Sequence, residues 1–167
     1  MHPSFTIVPV SREDCASLGG LCARFRVALR SYKGLISTSD TTAGCAELLE
    51  YLDANWPVYA ARTADGQWAG YIVLRTEEPL VWVESIYVED AYRRGGIASA
   101  LFAKAEEQAA AWGESTVFNY VHPNNHGMIA FLRRHGYTVL NLIEIRKPWP
   151  GEKLNTIIAV GEEAFDY

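Results

Sequence analysis

The chain has 167 residues, 49% of them hydrophobic and 21% charged, with a formal charge of −5 and a pI of about 5.4. That balance fits a globular domain with room for a core. It lacks the excess of Lys and Arg that a nucleic-acid footprint needs, and an acidic surface favours a cationic ligand instead. No apolar run reaches the roughly 20 residues of a membrane span. Met1–Val10 has neither a basic start nor a continuous apolar stretch, so no leader is expected. Cys15, Cys22 and Cys45 form no C-x-x-C pair and read as small buried hydrophobes in reducing, cytoplasmic surroundings.

No repeat or linker breaks the chain, which predicts one continuous domain over residues 1–167. Phe5–Val10 alternates as a strand does. Ser11 or Asp14 is placed to cap the helix that follows, whose stripe runs through Leu18, Leu21, Cys22, Phe25, Ala28, Leu29 and Tyr32 and stops at Lys33-Gly34. Thr42 opens a second helix through Leu48, Leu49 and Leu52, ended by Asn55-Trp56-Pro57. Strands at Val58–Arg62 and Trp68–Arg75 flank Asp65-Gly66, a hairpin signal. After the turn Glu77-Glu78-Pro79 comes a strand at Leu80–Val88. The period then becomes helical through Ile97, Leu101, Ala105 and Trp112, closed by Gly113. Thr116–Val121 reads as a strand, Asn125–His135 as a helix stopped by Gly136, and Tyr137–Ile145 and Leu154–Val160 as closing strands. The order β-α-α-β-β-β-α-β-α-β-β predicts a mixed α/β (α+β) domain around one central sheet.

The most informative stretch is Val88-Glu89-Asp90-Ala91-Tyr92-Arg93-Arg94-Gly95-Gly96-Ile97-Ala98. A strand ends, a turn follows, and small residues open an amphipathic helix. Unpaired N–H groups at a helix start, with the dipole behind them, bind anions. Gly96 and Ala98 keep bulk away from that backbone, and Arg93 and Arg94 add positive charge beside it. A P-loop needs Lys-Ser or Lys-Thr where this chain has Ile97-Ala98, and a dinucleotide fingerprint needs three spaced glycines. A strand-to-helix turn that binds nothing is the remaining alternative to a phosphate site.

Arg93-Arg94-Gly95-Gly96-Ile97-Ala98 resembles the Arg/Gln-x-x-Gly-x-Gly/Ala pattern of the GNAT superfamily of acyl-CoA-dependent N-acyltransferases. Glu84–Val88 looks like that family's fourth strand, and Asn125 through Gly136-Tyr137 like its second signature. The matches cover about residues 80 to 145. The resemblance implies a central, mostly antiparallel sheet flanked by helices, and acetyl-CoA as co-substrate. It implies that backbone N–H groups of Arg94, Gly95, Gly96, Ile97, Ala98 and Ser99 hold the pyrophosphate. The main chain around Ile86, Tyr87 and Val88 would take the pantetheine arm like an added strand. Asn125 would hydrogen-bond the same arm, or cap its helix, or do both.

The reaction so implied joins the acetyl group to a primary amine of a small molecule or peptide, which needs a base to deprotonate the ammonium. Glu84 is the candidate; strict alternation places it on one face with Trp82, Ile86 and Val88. Many members of the family place a tyrosine seven residues after the signature Asn to protonate the leaving thiolate; here that position is Leu132. Tyr137, Tyr120 and Tyr92 are the possible substitutes, or no acid is needed. His122 and His126 are four apart, but Pro123 intervenes, so no metal site is expected, although His122 could relay a proton. Leu140–Lys147 resembles a prokaryotic subgroup of the same family and names no acceptor; Asn141 and Glu144 fall on opposite faces of the expected strand. The closing strands offer an edge through which a homodimer could form. The competing function is an acyl-CoA-binding module that has lost catalysis and works as a sensor or assembly partner.

Overall fold

A computed structural model describes residues 4–167. It divides into two compact units, the first running to Phe131 and the second from Leu132 to Tyr167.

In the first unit five strands form one sheet in the order β1-β2-β3-β4-β5: Phe5–Pro9, Val58–Thr63, Trp68–Glu77, Leu80–Val88 and Phe118–Asn119. Every neighbouring pair is antiparallel except β4–β5, which is parallel. The sheet is thus mixed and mostly antiparallel, as expected. β3 is buried over Ala69–Leu74 because helices cover both of its faces. On one face lie α1 (Cys15–Tyr32), entered through a 3-10 turn at Arg12–Asp14, and α2 (Thr41–Asp53). Their apolar stripes meet Val58, Ala60, Tyr71 and Val73 in a core with Leu18, Cys22 and Leu48. The two helices touch backbone to backbone: a Cβ on Gly44 would lie 2.1 Å from the Gly19 carbonyl oxygen. Asp40, not singled out in the sequence, caps α2 by accepting from the Ala43 N–H at 3.0 Å. α3 (Ile97–Ala111) buries Ile97, Leu101, Phe102, Ala105 and Ala109, and packs along β2, β3 and β4 on the other face.

α4 (His126–Arg134) crosses into the second unit. There β6 (Ile157–Val160) and β7 (Glu163–Asp166) form an antiparallel hairpin of their own. A loop before them is stapled by Arg146, whose terminal nitrogens donate to the two Glu152 carboxylate oxygens at 2.9 and 2.7 Å while its guanidinium lies 3.6 Å over the Trp149 ring.

Three expected strands change. Thr116–Val121 contracts to Phe118–Asn119, because only two residues pair with β4. Tyr137–Ile145 is apolar and β-branched enough for a strand but has no ladder, since the strands of this unit pair only with each other. Leu154–Val160 shortens to Ile157–Val160, and its partner Glu163–Asp166 was not anticipated.

Candidate functional site

Two features of β4 build the site. The first is a bulge. Leu74 pairs with Val83 and Val73 pairs with Ser85, so Glu84 is an extra residue outside the β3–β4 ladder. The expected alternation therefore breaks at Glu84. Trp82 pairs with Arg75, whereas Ile86 and Val88 pair with Ile72 and Gly70, which puts Trp82 on the opposite face from Ile86 and Val88. The second is a parting of strands. β4 and β5 pair only at Trp82–Phe118 and Val83–Asn119. From Glu84 to Val88 that edge of β4 has no strand beside it. Asn119 stands where the strands separate. Its side-chain amide donates to the Val117 carbonyl at 3.1 Å, and its buried Oδ1 has no hydrogen-bond partner among the described residues. Sequence reading passed over Asn119, which no local pattern marks.

The turn after β4 opens α3 through left-handed backbone. Arg94 and Gly96 both adopt left-handed backbone, with φ of 63° and 84°. Glycine is the natural occupant at the second position; nothing in an arginine announces the first. α3 begins at Ile97, and its first internal bond beyond the cap runs from the Ala100 N–H to the Gly96 carbonyl at 3.0 Å. Among the described residues no carbonyl accepts from the N–H groups of Arg94, Gly95, Gly96, Ile97 or Ala98. These are the orphan donors of a helix start, concentrated where two left-handed residues turn the chain. Arg93 is already engaged: its Nε donates to the Val88 carbonyl at 3.0 Å, a terminal nitrogen lies 2.7 Å from Asp90, and its guanidinium sits 5.7 Å from the Tyr87 ring centre. It shapes the turn. Arg94 and Ser99 sit on the exposed side of the same segment.

α1 and α2 share a half-buried polar cluster beside the core. Arg26 Nε lies 2.8 Å from both carboxylate oxygens of Glu47, and a terminal nitrogen donates to the Tyr51 hydroxyl at 2.8 Å. Tyr51 donates to Glu47 in turn and stacks on Trp56. Burial, then the Glu47 carboxylate, pushes the Tyr51 phenol far above its usual pKa, and Glu84 lies near enough to add to the rise. The Tyr71 and Ser85 hydroxyls are buried nearby in the same stretch of sheet, paired with no hydrogen-bond partner among the described residues. Burial also lifts the Cys22 thiol to about 11, so it is a packed thiol and not a nucleophile.

A cavity of about 390 Å³ opens on the α1 side of the sheet. Arg24, Val27, Ala28 and Tyr32 line it from one side of α1 at helical spacing, Ala28 and Tyr32 being two residues of the expected apolar stripe that face this cavity. Ser39, Tyr87, Asp90 and Arg93 complete it.

The first unit thus contains Glu84, Ile86, Tyr87, Val88, the turn from Arg93 to Ser99, and Asn125. The Asn125 side-chain oxygen accepts from the Met128 N–H at 3.1 Å, so it caps α4. Tyr137 belongs to the second unit, where its N–H donates to the Leu132 carbonyl at 3.0 Å. Tyr120 is exposed, with the Arg75 guanidinium 5.8 Å from its ring centre, and Tyr92 ends a 3-10 turn. His122 stacks on Tyr32, and burial lowers its pKa. Among the described residues no three His, Cys, Asp or Glu side chains gather as a metal site.

The sequence pattern of the Acetyltransferase (GNAT) family matches residues 29–137, the parting strands and the glycine turn included. The chain belongs to that family. Solved GNAT structures share its fold. Aminoglycoside 6'-N-acetyltransferase AAC(6')-Ih from Acinetobacter baumannii is 18% identical, with a TM-score of 0.66 over 89% of this chain and 100% of that one. A ribosomal-protein-alanine N-acetyltransferase from Brucella melitensis biovar Abortus 2308 is 18% identical, with a TM-score of 0.67 over 86% and 99%. AAC(6')-Iy, solved with the bisubstrate analogue CoA-S-monomethyl-acetylneamine, is 20% identical, with a TM-score of 0.66 over 87% and 99%. No curated protein matches this GNAT chain by sequence.

Proposed function

We propose that this GNAT protein is an acetyl-CoA-dependent N-acetyltransferase acting on a primary amine of a small molecule or peptide, its chain working as one domain. The observation that carries the reading is the row of unpaired N–H groups from Arg94 to Ala98 at the start of α3, directly after an edge of β4 that has no strand beside it. A pyrophosphate fits those donors, and an amide-bearing arm fits the open edge at Ile86–Val88 as a strand would. Asn125 spends its side-chain oxygen on the α4 cap and keeps its NH2 group for the same arm. Acetyl-CoA supplies an acetyl thioester whose carbonyl carbon takes the amine nitrogen as the carbon–sulfur bond breaks. Glu84, thrown out of the ladder by the bulge, takes the proton from the acceptor's ammonium directly or through water.

Acid catalysis at the leaving group has no assigned residue in this reading. Tyr137 is the retained candidate, and a thiolate also leaves without help near its own pKa. Apolar Leu132, only 7% exposed at the position where many relatives carry the acid, favours a second reading: a module that binds acyl-CoA without turning it over. Three unpaired cysteines, two of them buried, support a reducing cytoplasmic setting. Exposed Val139, Leu140 and Leu142 support a homodimer.

The test is thermal stability with acetyl-CoA, with free CoA for comparison. At one hundred times Kd a ligand of the folded state adds about 2.7 kcal/mol, or a rise of about 5–11 °C for a chain of this size. No shift at millimolar acetyl-CoA would sink the proposal. A shift with no turnover of any amine would favour the module.

A further inference from the structure

We infer that the cavity beside α1 receives the acceptor by its carboxylate, with Arg24 as the partner. The preferred acceptor is then an amine that carries its own carboxylate, of the size of an amino acid or dipeptide, and not a polycation. This rests on the acetyl-CoA-dependent reading above and names the substrate class of the same site.

The charges in the cavity decide the class. Of its two arginines, Arg93 is consumed by the Val88 carbonyl, Asp90 and the Tyr87 ring. Arg24 is held differently. Its Nε alone donates to Glu89, at 2.7 Å, and its terminal nitrogens make no hydrogen bond among the described residues. Glu89 therefore fixes the stem of the guanidinium and leaves the outer pair of N–H donors presented as a fork. A planar fork of that kind matches a carboxylate in two parallel hydrogen bonds. A polyamine or aminoglycoside would meet two guanidiniums and find the adjoining carboxylates, Glu89 and Asp90, already paired with them, so it gains no free carboxylate there. The acidic net charge of the whole chain does not extend into this cavity.

The remaining lining sets the rest of the ligand. Val27, Ala28, Tyr32 and Tyr87 offer apolar and aromatic surface for a side chain. A volume of about 390 Å³ lies at the small end for ligand sites. Tyr87 also fixes where the cavity stands. It pairs with Tyr71, on the face where α1 packs, and its neighbours Ile86 and Val88 form the open edge of β4. An acceptor anchored at Arg24 thus lies along the strand proposed to carry the thioester arm.

The experiment compares matched amines with and without a carboxylate, L-phenylalanine against phenethylamine and L-leucine against isoamylamine, by acetyl-CoA-dependent thiol release. Each carboxylated member should have a kcat/KM about 10- to 100-fold above its partner. In Arg24→Gln that ratio should fall toward one through the KM of the carboxylated member, with the KM of acetyl-CoA keeping its value; Arg24→Lys should restore part of it. Preference for the bare amines, or an Arg24→Gln loss that is equal for both members, overturns the inference. A rise in the KM of acetyl-CoA also overturns it, making Arg24 a ligand of the cofactor's phosphates. Should none of the four amines turn over, calorimetry of L-phenylalanine and L-leucine against the CoA complex decides, and absence of heat from both overturns the assignment. The thermal shift with acetyl-CoA on the same sample separates that failure from failure of the acyl-CoA reading.

Discussion

Gly70→Ala couples the sheet to the site, and its effect can be worked from the structure. A Cβ at Gly70 would stand 2.7 Å from the Tyr87 carbonyl oxygen, 3.1 Å from a Val88 methyl and 3.2 Å from the Val88 Cα. Two of those three atoms are backbone, so no rotamer change relieves the contact, and β3 must move away from the end of β4. Overpacking of this kind costs about 1–3 kcal/mol. Restricting the unfolded chain returns about 0.4–1 kcal/mol, which leaves a net loss of roughly 0–2.6 kcal/mol. At about 2–4 °C per kcal/mol the melting temperature should fall by up to about 10 °C. The displaced segment is Tyr87–Val88, so the increment produced by acetyl-CoA should shrink as well. Both quantities come from one set of thermal melts read by far-UV circular dichroism, with and without ligand. A variant that melts with the wild type and keeps the full increment would refute the idea that close approach at Gly70 positions the turn.

Glu84→Gln should lower kcat by about 100-fold or more while the acetyl-CoA increment persists; unchanged turnover removes Glu84 from the chemistry. Gly44→Ala places a methyl against the Gly19 carbonyl and should cost about 3 kcal/mol by urea denaturation, so a loss below 1 kcal/mol would mean the helices cross elsewhere. Burial raises the Glu47 carboxyl, but hydrogen bonds from Arg26 and Tyr51 and the Arg26 charge outweigh it, so its pKa lies below the ordinary value. Its stabilisation is therefore complete above the unfolded value of about 4.3 and is lost as pH falls through the lower folded value. The stability advantage over Glu47→Gln should shrink on acidification below about pH 4.3, and parallel pH profiles for the two proteins would exclude that role.

What could be read in advance followed how local its cause was. The turn at Arg93–Ala98 was legible because a left-handed residue and a helix start both leave residue-type signatures, and Gly96 carries the first of them. Left-handed Arg94 was not legible, since arginine has no such preference. The bulge at Glu84 was invisible: Val83-Glu84-Ser85-Ile86 alternates as well as any regular strand, and the extra residue exists only relative to β3. β5 was overcalled for a related reason. Its apolar run says that it is extended, whereas its length is set by where β4 turns away. The β-branched run at 137–145 shows the same limit, because a strand requires a partner that composition does not specify. Glu163–Asp166 was missed in the opposite sense, a strand made by pairing with Ile157–Val160 despite a weak pattern of its own. Of the α1 residues that line the cavity, Ala28 and Tyr32 carry the apolar period of the helix and were legible, whereas Arg24 and Val27 fall outside it.

The residues on either side of Glu84 are already in the register of an uninterrupted strand, Leu74 with Val83 and Val73 with Ser85. The sheet would be complete without it. The carboxylate is therefore an addition to the fold and not a replacement within it, which separates two kinds of selection at this one position. Substituting Glu84 removes the charge and keeps the kink; deleting it removes both and leaves every flanking pair in place. Stability screens should therefore tolerate the loss of Glu84, and on the function proposed above only turnover would suffer.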